Sequence, residues 1–182
     1  MINRPRFVMT LLAIVTLAAG AHAAAQEDNG PLGRLSGTID DYVWVETGAG
    51  AGAWHVTGRW TARSKGDSGK ADFTASLLGV RSDLWVLQTG ADPANPALRS
   101  PHTHHVALTD AEVTVIPNGI RLEGTAIITA NGSVAPYSNS TVRVDLTGGS
   151  LLRYSNVKLT FLGHAVDHFG PQPYDGVVVN GR

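Results

Sequence analysis

The 182-residue sequence predicts an all-β fold: a single-domain antiparallel β-barrel of about 8–10 strands, with a two-sheet β-sandwich as the alternative. Three observations predict it. Apolar and polar residues alternate with a period of two over most of the chain after residue 37. The breaks between alternating runs carry residues that tolerate positive φ, as hairpin turns require. No stretch after residue 37 carries a sustained 3.6-residue apolar stripe with helix caps.

Residues 1–25 precede the fold. Arg4 and Arg6 form a basic start, Phe7 to Ala19 form an apolar run of 13 residues, and Ala21-His22-Ala23 or Ala23-Ala24-Ala25 closes it with small side chains. This is the three-part layout of a secretory signal peptide, and the run is shorter than the roughly 20 residues that span a bilayer. Export to a periplasm or out of the cell is expected. Arg4-Pro5-Arg6 is not a twin-arginine pair. Residues 26–37 are polar and rich in turn formers and are expected to be a flexible leader, so the β domain spans 38–182.

The strands follow in order. Segments 38–46 and 53–62 open the sheet. In the second, Trp54, Val56, Gly58, Trp60 and Ala62 share one face and His55, Thr57, Arg59 and Thr61 the other. Gly66-Asp67-Ser68-Gly69 turns the chain into 71–79, where Phe73, Ala75 and Leu77 oppose Asp72, Thr74 and Ser76. A strand is expected at 83–88, before an irregular link over 89–101 that holds Pro93, Pro96 and Pro101. Segments 102–108 and 111–116 are expected as two strands. Pro117-Asn118-Gly119 then turns into 119–129, where Ile120, Leu122, Gly124, Ala126 and Ile128 share a face. After Asn131-Gly132 come 140–147, a Thr147-Gly148-Gly149 turn, 150–162 and 175–179. The four tryptophans (Trp44, Trp54, Trp60 and Trp85) all fall in expected strands. That suits core packing or the aromatic lining of a ligand cavity.

Composition narrows the chemistry. The chain has no cysteine, which excludes disulfides, thiolate metal sites and a cysteine nucleophile. Its 14 Lys+Arg against 15 Asp+Glu give a net charge of -1. Removing residues 1–25 deletes two arginines and leaves 12 against 15, or -3. No nucleic acid or anionic membrane surface is expected as a partner. No second long apolar run follows residue 25, so the mature form is expected not to enter a membrane.

The chemistry concentrates in histidines. After residue 25 there are six, His55, His102, His104, His105, His164 and His168, and five of them lie in two short groups. Residues two apart on a strand project side by side, so His102 and His104 form a natural pair on the face of Val106 and Leu108, with His105 opposite. In Gly163-His164-Ala165-Val166-Asp167-His168, a helical turn would put His164 and His168 on one face with Asp167 beside His164. The expected metal set is therefore His102, His104, His164 and His168 with Asp167 as ligand or orienting carboxylate. An imidazole-rich set suits zinc or copper.

Other motifs carry less. The His102-Thr103-His104 pair resembles the opening of a cupin motif, but the carboxylate at Glu112 is misplaced and a proline-rich stretch stands where a glycine is expected. Gly66-Asp67-Ser68-Gly69 shares four residues with the nucleophile segment of chymotrypsin-like proteases, yet all four favour turns. Three functional readings follow. The chain is an exported barrel that binds a small molecule or metal ion at one end of the sheet. Alternatively it is a barrel enzyme of isomerase, cyclase or oxygenase type using the same histidines. The third reading is a metal-free structural or interaction module. Catalytic residues and oligomeric state stay unassigned.

Overall fold

A computed structural model describes residues 32–46, 51–82, 101–148 and 154–181. The expected signal peptide, the expected strand at 83–88 with Trp85, and nearly all of the proline-rich link lie outside these residues. The strands are β1 (Arg34–Val45), β2 (Gly52–Ser64), β3 (Lys70–Arg81), β4 (His102–Ile116), β5 (Gly119–Ala130), β6 (Ser133–Val134), β7 (Ser140–Thr147), β8 (Asn156–Phe161) and β9 (Tyr174–Gly181). A 3₁₀ turn over Gly163–Ala165 and one helical turn, α1 (Val166–Phe169), join β8 to β9.

Each main strand pairs antiparallel with its neighbours in the order β4-β3-β2-β1-β9-β8-β7-β5, and β4 pairs with β5 to close the ring. The two-residue β6 lies outside the ring, paired to β5. The fold is thus a closed eight-stranded antiparallel barrel, and the sandwich alternative falls. Closure pairs the backbone groups that a sandwich would leave on edge strands.

The alternating faces behave as their pattern demands. Trp54, Val56, Trp60 and Ala62 of β2, Phe73, Ala75 and Leu77 of β3, and Val142, Val144 and Leu146 of β7 are all buried. Eight strands leave an interior that side chains can fill, and here they fill it. Glycine allows the closest approach. A Cβ on Gly37 would sit 2.8 Å from the Trp60 ring and collide with the Val177 carbonyl.

Three details differ from expectation. The segments 102–108 and 111–116 form one strand, β4. Leu108 pairs with Ala126 and Glu112 with Glu123, so β4 carries one residue more than β5 between them. Asp110 takes φ 58° in this β-bulge. The polar Thr109-Asp110 pair therefore marks a bulge within a strand, because the ladder resumes on its far side. β1 begins at Arg34 rather than 38, with Leu35 buried. Trp44 is 57% exposed, so it does not pack in the core with Trp54 and Trp60.

The turns follow the sequence. Gly66 and Gly69 flank the β2–β3 hairpin, Asn118 lies between β4 and β5, and Asn131 with Gly132 follows β5, all with positive φ.

Candidate metal centre

The strand register builds half of the site. His102 lies opposite Gly79 and His104 opposite Leu77 on β3, so both side chains face the barrel interior near one end. Gly79 lies beside the first ring, where a Cβ would make ordinary contact at 3.7 Å. Trp54 meets His102 edge-on, with ring centroids 5.0 Å apart. His104 is 5% exposed, the one buried histidine among the described residues.

The connection between β8 and β9 supplies the third imidazole. Positive φ at Gly163 and Gly170 lets the chain fold across the barrel end and leave it again. Phe169 anchors this segment by stacking on Phe161 at 3.7 Å, and Tyr174 donates a hydrogen bond from its hydroxyl to the Phe169 carbonyl at 3.0 Å. Burying a phenylalanine contributes about 1.5–3 kcal/mol, enough to hold one helical turn in place. His168, one residue earlier, then points at the pair on β4. Its Nε2 lies 3.2 Å from Nε2 of His104, and ligand nitrogens of His102, His104 and His168 all lie within 4.8 Å of one another.

Tyr137, in the turn before β7, completes the enclosure. Its ring stacks on His168 at 4.4 Å, and its hydroxyl lies 3.3 Å from Nδ1 of His104. That Nδ1 is also 3.3 Å from the Thr129 carbonyl oxygen, which only accepts, so Nδ1 carries the proton. In neutral His104 the Nε2 lone pair therefore faces His168, which donates to it through its own Nε2–H.

Electrostatics favour the neutral rings. Burial, followed by repulsion from His168 and His102, lowers His104 to about 3, against the opposing pull of the Thr129 carbonyl. Burial, followed by His102, lowers His168 to about 4. Burial raises the Tyr137 hydroxyl, which stays protonated at neutral pH. Nitrogen lone pairs on His104 and His168 are thus available near pH 7 without expelling a proton into solvent, which is what a metal ion needs. The geometry agrees. Two nitrogens at 2.0–2.1 Å from a tetrahedral zinc lie about 3.3 Å apart, close to the 3.2 Å between His104 and His168.

Of the five residues expected as ligands, the fold brings together three. His164 and Asp167 are exposed on the turn and stand outside the group. The flanking glycines and Pro171 and Pro173 point to a short turn, and the structure has one: Gly163–Ala165 winds as a 3₁₀ turn and α1 has four residues, so His164 and His168 do not share a helical face. Turning His168 and Phe169 inward leaves Asp167 outward. Two further histidines lie outside the barrel: His55 bonds Asp40 at 2.7 Å and stacks on Tyr42, and His105 meets Ser76 at 3.3 Å. Sequence reasoning missed Tyr137 and Phe169. Neither has a local signal, since Tyr137 lies in an irregular Pro-Tyr-Ser-Asn turn.

A cavity of about 20 Å³ lies among these residues, lined by Trp54, Val56, Leu77, Gly79, the three histidines, Phe169 and Tyr174. That is room for a water or an ion, since a water needs about 10–15 Å³. No protein-family model, curated protein or solved structure matches the chain. Fold and site together define a closed antiparallel barrel with an inward-facing three-histidine group, His104 at its buried centre, that could hold a metal ion at one end.

Proposed function

We propose that this chain is an exported β-barrel protein that binds a transition-metal ion, zinc or copper, through His102, His104 and His168. One observation carries the reading: three imidazole nitrogens from two distant segments converge within 4.8 Å inside the barrel. Their chemistry supports it, because imidazole suits zinc and copper. The space supports an ion over an organic ligand. Enclosed ligand sites run to about 300–1,000 Å³, and this cavity is about 20 Å³. Export rests on the basic start, short apolar run and small residues over 1–25. N-terminal sequencing of secreted material is expected to begin at Gln26.

A second reading rests on the ligand count. Three protein nitrogens leave the fourth tetrahedral position to water, as in catalytic zinc sites, which suits metal-assisted acid–base chemistry on a substrate that reaches the barrel end. The deciding measurement for binding itself is elemental analysis of the purified protein followed by calorimetric titration with Zn²⁺ and Cu²⁺. Dissociation constants below about 10 µM are expected for preorganised ligands, and weaker binding of both ions would sink the proposal. His168→Ala should abolish binding and His164→Ala should retain it.

A further inference from the structure

The outer face of the barrel carries a second, much larger depression. A groove of about 500 Å³ runs over β2, β3, β4 and β5, and Thr57, Arg59, Ser76, Leu78, His105 and Thr129 are among the residues that line it. The register puts four of them in one row across the strands: Arg59 lies opposite Ser76, Ser76 opposite His105, and His105 opposite Thr129. Neighbouring strands are about 4.8 Å apart, so Ser76 stands between Arg59 and His105 in this row. Ser76 Oγ is 3.3 Å from Nδ1 of His105, which orients that ring.

Arg59 is the cation of the row. Elsewhere on the outer face Arg121 meets Asp145, Arg143 meets Glu123 and Lys158 meets Asp175, each within 3.1 Å. Arg59 is exposed, and no carboxylate lies within ion-pair distance of it among the described residues. None of the residues lining the groove is acidic. Leu78, beside the row and 39% exposed, adds an apolar wall.

We propose that this groove binds a small organic oxyanion. The carboxylate or phosphate head sits over Ser76 against Arg59 and His105, and an apolar body lies on Leu78. A guanidinium and hydroxyls are the donors that such a head needs, and the volume falls in the range of small-molecule sites. The polar row uses the face of β4 opposite to the inward histidines, and His104 and Leu77 border both the groove and the inner cavity.

The test is an NMR titration of the full chain without added metal, using benzoate and, separately, inorganic phosphate. Benzoate is expected to give saturable shifts at the amides of Arg59, Ser76 and His105, and to bind more tightly than phosphate. Arg59→Gln should weaken benzoate about tenfold, the loss of one charge-assisted contact. Arg63→Gln, an equal loss of charge elsewhere on β2, should leave it unchanged. Non-saturating shifts, shifts centred away from this row, phosphate binding as tightly as benzoate, or full binding by Arg59→Gln would overturn the proposal.

Discussion

The two ends of the barrel handle ionisable groups in opposite ways. At the end where β3 begins, Lys65 reaches Asp72 at 3.0 Å and Asp110 at 2.6 Å, and Lys70 reaches Glu112 at 3.1 Å. All of these groups are partly or largely open to solvent, and each cation has a carboxylate. Asp72 is held below the usual carboxylate range by the Asp110 amide and by Lys65, which together outweigh the opposing effect of burial. At the far end of the same two strands, His102, His104 and His168 face one another inside the barrel. The first arrangement needs no explanation beyond solvated charge pairing across a bulge. The second sets polar rings against each other inside the barrel, where apolar side chains would pack without that cost. Among the described residues, this inward histidine cluster is what sets the second end apart as the candidate site.

The comparison is sharpest in its response to pH. His104 and His168 have folded values of about 3 and about 4, below the value near 6.5 of an unfolded chain. Between those limits the unfolded state binds more protons, so stability is complete above about pH 6.5 and falls as the pH drops. Each such histidine removes up to about 1.4 kcal/mol per pH unit, so the pair is expected to remove about 2–4 kcal/mol between pH 6.5 and 5. Urea unfolding at fixed ionic strength measures this. A flat profile, or one unchanged in a His104→Leu/His168→Leu double variant, would break the distinction between the two ends.

Metal binding is the next largest effect. Zn²⁺ at a hundredfold excess over its dissociation constant should stabilise the fold by about 2.7 kcal/mol. Chemical denaturation with and without the ion should show this for wild type and for His164→Ala, and not for His104→Ala. The ion would also take both Nε2 lone pairs, moving the His168 proton to Nδ1; ¹⁵N shifts of the ring nitrogens report that change.

Tyr137→Phe keeps the ring on His168 and removes the hydroxyl beside His104. Lost outer hydrogen bonds of this kind lower metal affinity by about tenfold, and stability should change by about 1 kcal/mol or less. Titration calorimetry and unfolding separate the two effects. The smallest response belongs to the exposed end. Lys65→Met should barely move the unfolding midpoint and leave metal affinity untouched, because solvent screens exposed pairs. A large loss there would mean that the ion pairs, rather than the core, hold the bulge.

Much of the fold is legible in the chain because a strand's side-chain period is local. The alternation in 53–62, 71–79 and 119–129 matches β2, β3 and β5 closely, and Asn118, Asn131 and Gly66 mark true turns. The break expected at Thr109-Asp110 is a bulge because partner strands on both sides keep the ladder aligned, which no local pattern records. Half of the site is equally local: His102 and His104 must share a face if their segment is a strand. The other half is not. His168 joins them and His164 does not, through a 3₁₀ turn anchored by Phe169 and Tyr174.

By itself the sequence determined the all-β class, the turns, the absence of thiolate chemistry and the His-x-His pair, because each depends on neighbours within a few residues. Only the tertiary structure decided between barrel and sandwich, since that choice is made when β9 meets β1 and β4 meets β5. It alone brought three of the five candidate residues together and put Tyr137 against them. It also filled the interior to leave about 20 Å³ beside the histidines. Ring closure, convergence and cavity volume are set by contacts between residues far apart in the chain, and those exist only after the strands have closed.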